Sequence, residues 1–176
     1  MEPDQLARFE TLVLPHLNAA STLARYLLRN AADADDVVQD ACLRAVRHFD
    51  GFRGSDLASG RAWLLTIVRN TAFSWRRRHA SQPDAGVPGV DPDETASQVS
   101  AEAAVLHDDA RSSLAGALGA LPAEFREVIV LRELEELSYK EMSDVIGVPV
   151  GTVMSCLSRA RERLRAALVA REGEAS

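Results

Sequence analysis

Apolar residues recur along this chain at helical spacing, and nowhere do they alternate over a useful length as a strand would require. Leu6 to Leu28 carries a helical pattern interrupted at Pro15, where a bend or restart is expected. Val37, Val38, Ala41, Cys42 and Ala45 make the apolar side of a helix from Val37 to Phe49. Asp33, Asp35 and Asp36 before and within its first turn suit a cap and the positive end of the helix dipole. That leaves Asp36, Gln39, Asp40 and Arg44 for solvent or a partner. The glycines of DGFRGSDLASG, Asp50 to Gly60, predict a loop. A third helix, Arg61 to Arg78, is expected to bury Leu64, Ile67, Val68, Thr71 and Trp75. Its opposite side holds Thr66, Arg69, Phe73 and Arg77, with Asn70 and Arg76 at the edges.

Further along, Leu137, Met142, Val145 and Ile146 form one stripe, Gly147 ends it, and Val153, Leu157, Ala160 and Leu164 form another. Pro149 stands where a second helix would begin, a position at which its missing N–H costs nothing. Two short helices joined by a glycine turn result, with both stripes facing one small core. Opposite the second stripe lie Gly151, Ser155, Ser158 and Glu162, flanked by Met154 and Arg159, a small polar face that fits a major groove. Arg159, Arg161, Arg163 and Arg165 then supply charge for phosphates, which gives affinity without sequence information. The fold expected is all-α: two small helical domains, residues 6–79 and 111–171, joined by a flexible acidic linker over 80–110.

Composition bounds the remaining possibilities. A chain of 176 residues that is 47% hydrophobic has ample material for packed cores. It contains no run of membrane-span length, and its start, MEPDQLARFE, resembles no signal peptide, so a cytoplasmic protein without membrane insertion is expected. Cys42 and Cys156 fall in different modules, and His16, His48, His79 and His107 are scattered without ligand spacing. Free thiols, no metal and no cofactor are therefore expected, with a redox role for either cysteine left open.

A net charge of −6 argues against nucleic acid until its distribution is examined. Residues 80–112 hold seven acids against one arginine, a balance equal to the charge of the whole chain. Residues 61–79 hold five arginines and no acid, and 151–176 hold five arginines against three glutamates. A basic helix with an outward aromatic, beside a loop bearing Phe49 and Phe52, is the mixture expected around unpaired bases. Taken singly, Phe49, Phe52 and Trp75 read as core, and Phe73 is the better candidate for exposure.

Together these segments resemble bacterial RNA polymerase sigma factors of the small extracytoplasmic-function type. DADDVVQDACLRAVRHFDGFRG resembles that family's region 2.2 and the loop after it, and AWLLTIVRNTAFSWRRRH resembles region 2.4. LPAEFREVIVLRELEELSYKEMSDVIGVPVGTVMSCLSRARERLR resembles region 4. The resemblance implies that Asp36, Gln39, Asp40 and Arg44 contact the clamp helices of core RNA polymerase. It assigns Phe52, Arg53, Arg69, Asn70, Phe73, Arg76 and Arg77 to capture of the melted minus-10 strand, with the loop Asp50 to Gly60 setting the preferred base. At the minus-35 duplex it implies Met154, Ser155, Ser158 and Arg159 at or near base edges, with Thr152, Arg161 and Arg163 on phosphates. Many members carry arginine at the positions of Cys156 and Met154, so two potential DNA-binding groups are missing and a modest intrinsic affinity for promoter DNA is expected. An anti-sigma factor is the further partner implied.

Two other readings compete. A stand-alone helix-turn-helix regulator explains Leu137 to Arg165 but not the first module. An enzyme lacks support, because no nucleophile, base and orienting group can be assembled and no phosphate-binding glycine loop occurs.

Overall fold

The computed structural model describes residues 1–80 and 101–174, the side chains of 101–109 excepted. Among the described residues every regular element is helical. The N-terminal domain contains α1 (Pro3–Leu12), α2 (Leu17–Leu28), α3 (Ala31–His48) and α4 (Leu57–Arg78), with short 3-10 turns at Leu14–His16 and Phe49–Gly51. The C-terminal domain contains α5 (Ala101–Gly119), α6 (Ala123–Ile129), α7 (Tyr139–Ile146) and α8 (Val150–Glu174). Residues 81–100 of the expected linker lie outside the described residues, and α5 begins within the stretch expected as linker. Its opening run, AEAAVL, consists mostly of good helix formers.

Helix limits follow from local chemistry. Pro15 falls in the 3-10 turn that separates α1 from α2, as its missing N–H requires. α3 starts earlier than expected because the Asn30 side chain accepts from the Asp33 N–H at 3.1 Å, so Asn30 and not an aspartate is the cap. At the start of α4, Asp56 accepts from the Ser59 N–H at 2.7 Å and the Ser59 hydroxyl returns to the Asp56 backbone. Ser138 and Glu141 form the same reciprocal cap on α7. Gly147 ends α7 at φ +79°, a conformation glycine adopts without strain, and its N–H closes onto Ser143 O at 2.8 Å.

The expected stripes are the ones that pack. Val37, Ala41 and Ala45 of α3 are buried, as are Leu137, Met142, Val145, Val153, Leu157 and Ala160 of the helix-turn-helix. Val38, Cys42, Ile146 and Leu164 lie half-buried at the margins. α4 departs from expectation: Leu65 and Ala72 are buried beside Leu64, Val68 and Thr71, while Ile67 and Trp75 are only half-buried. The cause is position, since α4 packs on α2 and α3 from one side and on α7 from another.

The two domains are not separate bodies in this conformation. α2 packs on α6, and one hydrophobic cluster runs from Leu23, Leu27 and Leu64 through Val128, Ile129 and Leu131 to Leu157. Val128 to Leu131 are four successive buried residues, which point around the whole helix and cannot be covered from one side. α2 supplies part of the additional cover.

Candidate nucleic-acid interface

α8 presents its predicted face to solvent. Thr152, Met154, Ser155, Ser158, Arg159 and Arg163 are exposed, with Met154 half exposed at 50%. The Ser155 hydroxyl donates back to Gly151 O at 3.0 Å, so the helix surface there is flush and free of bulk. Arg161 lies less open, its Nε donating to Glu133 at 3.0 Å, and the Arg163 guanidinium sits 5.0 Å over the Phe125 ring. Both arginines are thus held beside the exposed small-residue face of α8 instead of projecting from it.

The residues predicted to capture a strand are placed differently. Arg53, Asn70 and Arg77 are exposed, whereas Arg69, Phe73 and Arg76 are half-buried. Phe52 is fully buried, stacked on Phe49 at 5.4 Å and tilted against Trp63 at 4.9 Å, so in this conformation its ring is a floor for the loop and is closed to a base. Phe73 lies beneath the Arg69 guanidinium at 4.8 Å, which accounts for its partial cover. Arg76 donates to Leu27 O at 2.8 Å, one of the last carbonyls of α2 left without an intrahelical partner.

Arg69 is engaged by the other domain. Its Nε donates to Glu127 Oε1 and its Nη2 to Oε2 at 3.3 Å, a two-pronged pairing of α4 with α6. Glu127 is 2% exposed; burial pushes its carboxyl up to about 7, more than the Arg69 charge and hydrogen bond pull it down. Two further links cross between the domains. Arg61 donates to Glu141 at 2.8 Å and to Glu135 O at 3.3 Å. Arg126 donates to Leu27 O at 3.4 Å while also holding Leu121 O at 3.0 Å. Burial alone would raise the Glu141 carboxyl, but the Ser138 backbone N–H, the Arg61 hydrogen bond and charge, and the Ser138 side chain bring it below its ordinary value.

On α3, Asp36, Gln39 and Arg44 are exposed and Asp40 is half-exposed, with Arg44 Nε donating to Asp40 at 3.0 Å one turn away. The sequence pattern alone did not single out two residues on this face, Leu43 at 51% exposure and Val46 at 45%. Both fall off the Val37–Ala41–Ala45 stripe on a helical wheel, and that was the available signal. Glu127 was also missed, although an acid inside the apolar run FREVIVL is itself a sign of a buried partner.

Cys42 and Cys156 are free, half-buried thiols, and burial raises both above the ordinary thiol value. Cys156 packs against the core at the edge of the α8 stripe, where the wheel placed it. Among the described residues no three His, Cys, Asp or Glu side chains gather as a metal site requires, and no helix is long and apolar enough to cross a membrane.

Comparison with known proteins bears on both domains. Residues 12–82 match the family Sigma-70 region 2, and residues 111–164 match Sigma-70, region 4. The chain is 35% identical over 169 residues to the ECF RNA polymerase sigma-E factor of Escherichia coli K12, covering 92% of this chain and 86% of that protein. It is 34% identical over 167 residues to the RNA polymerase sigma-H factor of Pseudomonas aeruginosa, covering 91% and 86% respectively. Among solved structures it resembles the sigma factor RpoE of Bartonella quintana, in complex with the anti-sigma factor NepR, with a TM-score of 0.68, 31% identity and coverage of 88% and 92%. It also resembles CnrH in complex with the cytosolic domain of CnrY, with a TM-score of 0.61, 31% identity and coverage of 90% and 86%. Two helical domains in the order region 2 then region 4, matched along nearly the whole chain, place this protein in the extracytoplasmic-function group of sigma-70 RNA polymerase sigma factors.

Proposed function

We propose that this sigma factor divides promoter recognition among three faces. α3 docks on core RNA polymerase through Asp36, Gln39, Asp40 and Arg44, with Leu43 and Val46 adding the apolar area that a stable interface needs. α4 and the preceding loop open and hold the minus-10 strand through Arg53, Arg69, Asn70, Phe73, Arg76 and Arg77, over a floor that includes Phe52. α8 enters the major groove of the minus-35 element, with Met154, Ser155, Ser158 and Arg159 toward base edges and Thr152, Arg161 and Arg163 toward phosphates. The polymerase performs the chemistry, and the factor acts in the cytoplasm beside it. The observation that carries this reading is the open, small-residue face of α8 joined in one chain to a region 2 domain; a stand-alone regulator needs only the first of these.

The closed conformation suits storage better than promoter opening. Glu127 occupies the guanidinium of Arg69, and the C-terminal domain lies against α4. Strand capture on this reading requires the domains to part. Both structural relatives named above are complexed with a partner, the sigma factor RpoE with the anti-sigma factor NepR and CnrH with the cytosolic domain of CnrY. A corresponding anti-sigma factor for this chain would act by keeping the domains together.

Run-off transcription from a pooled promoter library, with purified core polymerase in the presence and absence of the protein, tests the function. Transcripts appearing only with the protein are expected, sharing two sequence elements. Sequence-specific duplex binding by the protein alone, without new transcripts, would favour the regulator.

A further inference from the structure

The segment Gly51 to Asp56 between α3 and α4 has no regular structure beyond its first residue, yet it is closely determined. Phe9 of α1 meets Phe49 edge-on at 5.3 Å, Phe49 stacks on Phe52, and Phe52 meets Trp63, so the start of the loop is anchored in an aromatic cluster. Gly54 lies so close to this cluster that a Cβ there would stand 2.3 Å from the Phe52 ring, which excludes any side chain without displacement. The Arg53 side chain turns back to Asp50 O at 2.8 Å, and Asp56 is committed to capping α4. Between these anchors one atom of the loop backbone is held from outside. Arg8 of α1 donates from Nη2 to Gly54 O at 3.0 Å, and the same guanidinium lies 5.5 Å over the Phe49 ring. A cleft between α1 and the loop is lined by Ala7, Arg8, Thr11, Leu12 and Ser55.

We propose that Arg8 is a positioning residue for minus-10 recognition: by holding the Gly54 carbonyl against α1 it sets the shape of the loop, and with it which base the loop admits. The inference rests on the reading that this loop reads the minus-10 base. A base pocket discriminates only if its walls stay within a fraction of an ångström of the selective geometry, and Arg8 restrains the loop midway between its fixed ends. Arg8 is exposed, so shortening it leaves the aromatic cluster filled.

The test is run-off transcription by the reconstituted holoenzyme from promoters carrying each of the four bases at every minus-10 position. It compares the wild type with Arg8→Ala, Arg8→Lys and the loop double variant R53A/S55A, and the melting temperature of each protein is measured alongside. Arg8→Ala is expected to change the ratio between preferred and disfavoured bases by about fivefold, the scale of one hydrogen bond removed. Arg8→Lys, which keeps a donor for Gly54 O, should restore most of the original ranking. If Arg8→Ala lowers every promoter by one common factor or changes none, while R53A/S55A alters the ranking, Arg8 has no positioning role. If R53A/S55A also leaves the ranking unaltered, the loop does not read the base, and the reading beneath the inference fails with it.

Discussion

α4 and α8 are the two arginine-rich helices proposed to bind nucleic acid, but they stand in opposite states. α8 keeps Thr152, Met154, Ser155, Ser158 and Arg159 open to solvent. α4 has Arg69 locked to Glu127, Phe73 beneath that guanidinium and Arg76 turned onto the end of α2. The difference is one of surroundings more than composition. α8 lies at the edge of its domain and buries a single stripe, whereas α4 lies between two domains and has little surface to spare. A helix that reads intact duplex can stand ready at all times, because a duplex is present before any opening. A helix that holds an unpaired strand has no ligand until melting begins, and its basic face meanwhile finds an internal carboxylate.

The contrast breaks most sharply at Arg69. Arg69→Ala leaves Glu127 buried without its cation, which should destabilise the protein by about 3 kcal/mol at pH 8 in chemical denaturation. At pH 5 the loss should shrink markedly, because Glu127 then takes a proton and no longer needs a counter-charge. An equal loss at both pH values would show that the pair is not what joins α4 to α6.

The wild-type protein should show the same carboxyl directly. Glu127 titrates near 7 when folded instead of at its ordinary 4.5, so the native state holds a proton that the unfolded chain releases. The associated stability is fully present below pH 4.5 and is lost as pH rises through 7. From pH 5 to pH 8 its share falls by roughly 2 kcal/mol. Glu127→Gln keeps an acceptor for Arg69 but does not titrate, and it should flatten this part of the stability profile. A profile identical to wild type would assign the pH dependence to another group.

On the open helix, Ser158→Glu places a like charge against DNA without touching the core. It should weaken holoenzyme binding to the minus-35 duplex by about tenfold, measured by fluorescence anisotropy, and leave the melting temperature unaltered. Loss of fold would mean that Ser158 is more than a surface residue.

The smallest effect separates arginines within α8. Arg163→Ala should make the slope of log affinity against log salt shallower by about 1, the mark of one fewer phosphate neutralised. Arg161→Ala should change the slope less, because Arg161 is already neutralised by Glu133 at 3.0 Å. Equal changes would mean that Glu133 releases Arg161 whenever DNA is bound.

Much of this architecture was legible in the one-dimensional pattern. Wherever a helix buries one face, as α3, α7 and α8 do, the spacing of Val37, Ala41 and Ala45 or of Val153, Leu157 and Ala160 names its core directly. Gly147 and Pro149 mark the turn between the helix-turn-helix elements for equally local reasons. The exposed face of α8 was legible because it is what remains after the stripe is removed. α4 was harder to read. Leu65 and Ala72 lie off its expected stripe yet are buried, and α4 has more than one packing partner, with α2 and α3 of its own domain and α7 of the other.

The sequence by itself determined the helical class, the two-domain order, the family and the exposed face of α8, because each depends on residues close together along the chain. Tertiary structure alone decided that Arg69 meets Glu127, that Arg61 meets Glu141 and that Arg8 reaches Gly54. Those partners are far apart in sequence and carry no periodic signature. Which charge neutralises which is settled only once packing has brought the helices together and burial has made an unpaired charge costly.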